Sequence, residues 1–244
     1  MRRILISWRG WNLYSYPTML YVGMVCGILV AAWVARLSGL DLDRFVLASM
    51  ILMVPSLLGA RLFFVASHWH LFRNDRARIW RRSEGGMAMY GGLLADVPLS
   101  IPLLYVMHLP FAKFWDAATF AILTGMIFTR FGCLLNGCCS GRESTSWFAL
   151  DLPDYRGIRR RRVPTQLLEA AWATVLLAAA FLLRGREPFD GAIFCSAVLA
   201  YGAGRYFLQK LRDDRTASDT GIIQLTSAML ALAGLIGMGV AWTW

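Results

Sequence analysis

Seven stretches of mostly apolar residues run along this chain, at 17–37, 44–67, 88–108, 111–137, 165–183, 189–209 and 220–242. Each is close to the about 20 residues that a helix needs to cross a bilayer. Backbone N–H and C=O groups in lipid must be satisfied within the protein, so this pattern leaves a helix bundle as the fold it can adopt. At 57% hydrophobic residues, the chain also exceeds the roughly 45–50% apolar usage of soluble domains. The expectation is an all-α integral membrane protein with seven transmembrane helices. It forms a single transmembrane domain over 1-244, with an interfacial segment at 1-16 and a polar extramembrane arm, 140-163, between helices 4 and 5. The third run contains Pro98 and Pro102 and is expected to be kinked or partly re-entrant. No internal repeat is visible, which gives no support to a transporter built from inverted repeats.

Charge narrows the ligand class. The net charge is +10, and of the 25 basic residues all but Lys113 and Lys210 are arginine. Arginine grips phosphate in a bidentate fork, so an anionic lipid or phosphate is a better partner than nucleic acid. Seventeen basic residues fall on the N-terminus and the 2–3, 4–5 and 6–7 connections, and five on the opposite side. By the positive-inside rule that count would place the basic side in the cytoplasm. The Arg159-Arg160-Arg161-Arg162 run reads as a solvated or lipid-facing cluster.

Three arginines, Arg61, Arg130 and Arg205, lie inside apolar runs, where a guanidinium costs about 2.5–3.5 kcal/mol on insertion scales. Each lies near the end of its run on the basic side, so four stretches are expected to meet at one layer. These are Gly59-Ala60-Arg61, Gly85 to Leu93, Arg130 to Gly141, and Gly202 to Gln209 with Arg212 beyond. On helical spacing Arg130, Cys133, Gly137 and Gly141 share one face, as do Arg205, Gln209 and Arg212. Glycines such as Gly91 and Gly92 lower helix propensity by about 1 kcal/mol each, which points to close approach of a ligand or tight helix packing. Converging arginines suit a phosphodiester whose acyl tails lie between helices, and would stabilise charge on phosphate as an ester oxygen departs. The competing reading neutralises them with Asp96, Asp116 or Glu169.

Cys133, Cys138 and Cys139 follow Arg130 closely. They admit three readings: packing residues, a disulfide that uses Cys133, or a nucleophile activated by Arg130. His68, His70 and His108 are far off in sequence and no second cysteine pair exists, so neither a metal nor a cofactor is expected.

The order of these motifs resembles the bacterial prolipoprotein diacylglyceryl transferases. The resemblance runs through Tyr16 opening the first run, Gly59-Ala60-Arg61, Gly86-Met87 with Gly91-Gly92-Leu93, Arg130, Gly132, Asn136-Gly137 and Gly141. It continues through Pro164 to Glu169 and Arg205 with Arg212 and Asp214. Four positions depart from it: Tyr90 stands where the family has a histidine, Cys133 where it has an asparagine, and Cys138 and Gln209 where it has glutamates. The resemblance implies a multi-pass enzyme of the bacterial cytoplasmic (inner) membrane that moves diacylglyceryl from phosphatidylglycerol to an acceptor such as a lipobox cysteine of a secreted prolipoprotein. It implies catalytic roles for Arg130, Arg205 and Tyr90. Substrate contacts would come from Tyr16, Arg61, Gly91, Gly92, Asn136, Gly137, Gly141, Gln166, Glu169, Gln209 and Arg212. The alternatives are a family member with a different acceptor and a non-catalytic protein that binds anionic phospholipid. The resemblance also places the reacting layer near the outer leaflet and the C-terminus in the cytoplasm, against the charge count.

Overall fold

The computed structural model describes residues 4–8, 11–73, 75, 79, 89–153, 158–213 and 217–242. Outside the described residues lie Arg2, Arg3, Arg9, Gly85, Gly86, Met87, Ala88, Arg156, Asp214 and Trp244, together with the basic residues between 74 and 82, Arg76, Arg78, Arg81 and Arg82.

The elements follow one another as β1 (Ile4–Trp8), β2 (Trp11–Tyr14), α1 (Ser15–Leu37), α2 (Leu42–Ser67), α3 (Trp69–Phe72), α4 (Met89–Val106) and α5 (Phe111–Asn136). Then come β3 (Leu150–Pro153), β4 (Arg159–Arg162), α6 (Thr165–Leu183), α7 (Ala192–Gln209) and α8 (Ala217–Trp242). Five of these, α1, α2, α5, α6 and the Gly221–Val240 part of α8, are long and apolar enough to cross a membrane. The third and sixth apolar runs form the shorter helices α4 and α7. Large apolar side chains point outward from these helices, among them Leu29, Val54, Leu182, Leu225 and Ile236, as a lipid-facing surface requires. The protein is a multi-pass membrane protein.

Two small antiparallel hairpins qualify the all-α expectation. One pairs β1 with β2, from Ile4 opposite Tyr14 to Trp8 opposite Trp11, so the N-terminal segment is extended rather than helical. The other pairs β3 with β4 inside the polar arm, from Leu150 opposite Arg162 to Pro153 opposite Arg159. A second correction concerns α4, which runs as one helix through Pro98 and Pro102 instead of folding back.

The chain divides into two compact units, residues 1–34 with 115–244 and residues 35–114. In the first, small residues let helices approach until backbone meets backbone. A Cβ on Gly27 would lie 2.8 Å from the Ala121 carbonyl oxygen of α5, and one on Gly202 would lie 2.7 Å from Ser227 O of α8. Phe120 of α5 packs on Phe181 of α6 with ring centroids 4.7 Å apart. Asp116 accepts hydrogen bonds from the Gly191 and Phe194 N–H groups at 2.6 and 2.8 Å, satisfying donors that the start of α7 leaves open.

In the second unit α2 and α4 cross at their glycines. A Cβ on Gly91 would fall 2.2 Å from Gly59 O, and one on Gly59 would fall 2.4 Å from Gly91 O. Asp41 caps α2 by accepting from the Arg44 N–H at 3.0 Å, and Phe45 packs on Phe114 with centroids 5.2 Å apart.

Candidate functional site

Within the first unit the site is assembled at the end of α5. Helix α5 stops because Gly137 takes a left-handed conformation, φ 74°, which glycine adopts without steric cost. The Gly137 N–H donates to Leu134 O at 3.2 Å and the Cys138 N–H to Cys133 O at 3.1 Å, the paired bonds of a Schellman ending. The chain then turns through Cys138 to Ser140. Gln166 Nε2 donates to Cys138 O at 2.7 Å and Thr165 Oγ1 to Cys139 O at 2.8 Å, which ties the turn to the first residues of α6.

One turn into α6 stands Glu169, its side chain 3% exposed, and three arginines converge on it. Arg130 Nη2 lies 2.6 Å from Oε2, while Arg205 Nη1 and Arg212 Nη1 lie 2.5 and 3.2 Å from Oε1. Burying a charge is costly unless it is paired, and one carboxylate would suffice for one arginine. Three guanidinium groups gathered around one buried carboxylate make a strongly basic cluster in a shielded place. That is the electrostatic signature of a site for an anion.

Several expectations change here. Glu169 pairs with Arg130, Arg205 and Arg212, as the competing reading had it, whereas Asp116 is committed to the start of α7. Asp96, the third candidate neutraliser, belongs to the other unit. The face expected to carry Arg130, Cys133, Gly137 and Gly141 is broken, because the helix ends at Asn136. Gly141 instead pairs with Arg212 in an isolated bridge, and a Cβ there would meet Leu211 O at 2.6 Å and Val163 O at 2.7 Å. Arg212 is not on α7 with Arg205 and the buried Gln209, since that helix ends at Gln209; the Arg142 N–H bond to Leu211 O, 3.0 Å, holds the segment so that Arg212 still reaches Glu169. Nor is the arginine run simply solvated. Arg162 is 3% exposed and engages Asp213 and Glu143, Arg160 pairs with Glu143 and Arg159 with Asp151.

Of the remaining candidates in this unit, Tyr16 packs beside Gly132, where a Cβ would lie 3.5 Å from its ring. Asn136 hydrogen-bonds the Cys138 thiol, and the Gln166 Oε1 is buried with no partner among the described residues. Tyr90, Arg61, Gly91 and Gly92 belong to the second unit. Tyr90 is buried near the start of α4. Arg61 donates through Nε to Ile79 O at 2.8 Å and lies over the Phe64 and Phe72 rings. Gly91 and Gly92 are occupied by α2, Gly92 facing Ser56, so of the two reasons for these glycines the structure displays helix packing.

One residue that spacing did not single out, Tyr201, joins the cysteines in completing the site. Tyr201 is buried one turn before Arg205 and within electrostatic range of Arg130; the i, i+4 interval was its only trace in the sequence. The thiols of Cys133, Cys138 and Cys139 are free, and their sulphurs lie within 4.8 Å of one another although no metal was expected from their spacing. Cys139 has φ 62°, a left-handed conformation rare for a non-glycine residue. Its thiol is held below the ordinary range by hydrogen bonds from Cys133 and Cys138, with Arg212 and Arg130 adding to the effect.

With this geometry in place, comparison with known proteins is decisive. The sequence profile of the prolipoprotein diacylglyceryl transferase family matches residues 3–240. The chain belongs to that family. Among its relatives is the phosphatidylglycerol–prolipoprotein diacylglyceryl transferase of Bacillus cytotoxicus, 28% identical over 87% of this chain and 81% of the relative. The transferase of the same name from Halalkalibacterium halodurans is 27% identical over 93% of this chain and 84% of its own, and that of Clostridioides difficile 23% over 97% and 92%.

Proposed function

We propose that this protein transfers the diacylglyceryl group of phosphatidylglycerol to the lipobox cysteine of a secreted prolipoprotein, at the outer leaflet of a bacterial cytoplasmic (inner) membrane. The observation that carries the reading is the buried cluster in which Arg130, Arg205 and Arg212 converge on Glu169. A phosphodiester anion suits such a cluster, and the guanidinium groups meet the charge that develops as the glycerophosphate leaves. The acceptor sulphur forms a bond to the glyceryl carbon, the carbon–oxygen bond to phosphate breaks, and its electron pair departs with the glycerophosphate. The unpartnered Gln166 Oε1 offers an acceptor to a headgroup hydroxyl, which glycerol has and choline lacks. Tyr90 stands at the family's histidine position; a phenol is a far weaker base than imidazole near neutrality, so its role is to donate a hydrogen bond to phosphate or glycerol.

The test is transfer by purified protein in mixed micelles, with a lipobox peptide analysed by mass spectrometry. The reading predicts a diacylglyceryl thioether with phosphatidylglycerol and none with phosphatidylcholine. Absence of product with phosphatidylglycerol, or equal product with both lipids, would contradict it.

A further inference from the structure

The thiol loop raises a chemical question that the arginine cluster leaves open: what removes the acceptor's proton. The chain's three histidines, His68, His70 and His108, all fall in the 35–114 unit, so the unit that holds the arginines contains no imidazole. Glu169 is committed to three guanidinium groups. What lies one helical turn beyond Arg130 instead is a cluster of three soft donor atoms.

The Sγ atoms of Cys133, Cys138 and Cys139 are mutually within 4.8 Å. A tetrahedral zinc ion with bonds of about 2.3 Å keeps its sulphurs about 3.8 Å apart, so even the widest pair needs to close by no more than about 1 Å. The backbone that carries them is fixed from both sides: the Schellman ending holds Cys133 and Cys138, and the first turn of α6 captures the carbonyls of Cys138 and Cys139. Ser140 Oγ donates to Pro153 O at 3.0 Å and anchors the far end of the loop. The left-handed Cys139 swings its side chain back towards the other two, a conformation that packing alone does not call for. Three thiolates on a divalent ion carry one net negative charge, and the adjoining cluster is rich in arginine.

We propose that Cys133, Cys138 and Cys139 bind zinc as three thiolates, leaving its fourth position open for the thiol of the acceptor cysteine. The inference rests on the transferase reading and gives the acceptor thiol a route to deprotonation. Three protein ligands with one open position is the arrangement of catalytic rather than structural zinc, and a thiol that coordinates zinc is deprotonated outright. The acceptor thiol releases its proton to solvent on binding, and its sulphur then donates a lone pair to the glyceryl carbon. The bond to the phosphate oxygen breaks, and the pair leaves with the glycerophosphate towards the arginines. Nothing is oxidised or reduced. The product thioether is neutral and a weaker ligand, which frees the open position for the next acceptor.

Cobalt(II) titration of the reduced, full-length protein reads the site without relying on turnover. Thiolate-to-cobalt charge-transfer bands and tetrahedral d–d bands are expected to saturate at one equivalent. They should vanish in Cys133→Ser and, as a check at half-buried positions, in Cys138→Ser and Cys139→Ser variants of unchanged helical content. A lipobox peptide should shift the d–d bands, and the same peptide with serine for its cysteine should not. Absence of the charge-transfer bands, indifference to the peptide, or a site that takes copper(I) but neither cobalt nor zinc overturns the proposal. Transfer that survives chelation and Cys133→Ser overturns the metal site and leaves the transferase reading standing. Bands that respond to peptide in a protein that transfers nothing from phosphatidylglycerol overturn the transferase reading and leave the metal site.

Discussion

Glu169 organises the polar interior more than any arginine does, because three cations depend on it. Replacing it with glutamine keeps the shape and removes the carboxylate that Arg130, Arg205 and Arg212 share, leaving their guanidinium groups to repel one another. Loss of one partner from a buried ion pair costs about 3–5 kcal/mol, and a drop in the thermal midpoint in detergent, larger than that of Arg212→Gln, is the expected outcome. At this scale the sequence was legible where cost alone speaks: Arg130 and Arg205 stood out because charge in an apolar run is expensive. Their common partner was not legible, since it depends on α5, α6 and the segment after α7 arriving at one point. Cys139 was opaque for a similar reason, as nothing in a Cys-Cys pair announces a left-handed backbone.

Among the elements, helix–helix contacts are set by glycines whose absent side chains let backbones touch. Gly59→Ala places a methyl within 2.4 Å of the Gly91 carbonyl oxygen, and overpacking of this kind costs about 1–3 kcal/mol. Gly221→Ala, in α8 with nothing within 4 Å, is expected to be neutral or slightly stabilising; thermal melts of the two variants check the contrast. The helices themselves were largely readable from apolar run length, and α5 differs from its predicted range by a single residue at the C-terminal end. Arm details were not, because Gly137 ends α5 before the predicted face reaches Gly141, and because the β3–β4 pairing turns part of an arginine run inward, where Arg162 meets Asp213 and Glu143.

For the whole molecule, orientation and ligand class belong together. If the arginine cluster serves secreted acceptors at the outer leaflet and all seven apolar runs cross, the end of α8 lies in the cytoplasm, despite a charge count that argues the reverse. A phosphatase and fluorescent-protein reporter pair fused after α8 is expected to read cytoplasmic. Arginines on the arm, such as Arg159 paired with Asp151 and Arg160 paired with Glu143, account for part of the basic-side excess as structural residues rather than as topology signals. The central claim is that the arginine cluster around Glu169 holds an anionic phospholipid. Native mass spectrometry of the protein with an equimolar mixture of phosphatidylglycerol and phosphatidylcholine tests it most directly. One retained phosphatidylglycerol is predicted for the wild type. Losing one charge-assisted contact is worth about 1.5–3 kcal/mol, so affinity should fall about 10- to 100-fold in Arg130→Gln and Arg205→Gln. Equal retention of both lipids, or undiminished phosphatidylglycerol in both variants, would contradict the claim.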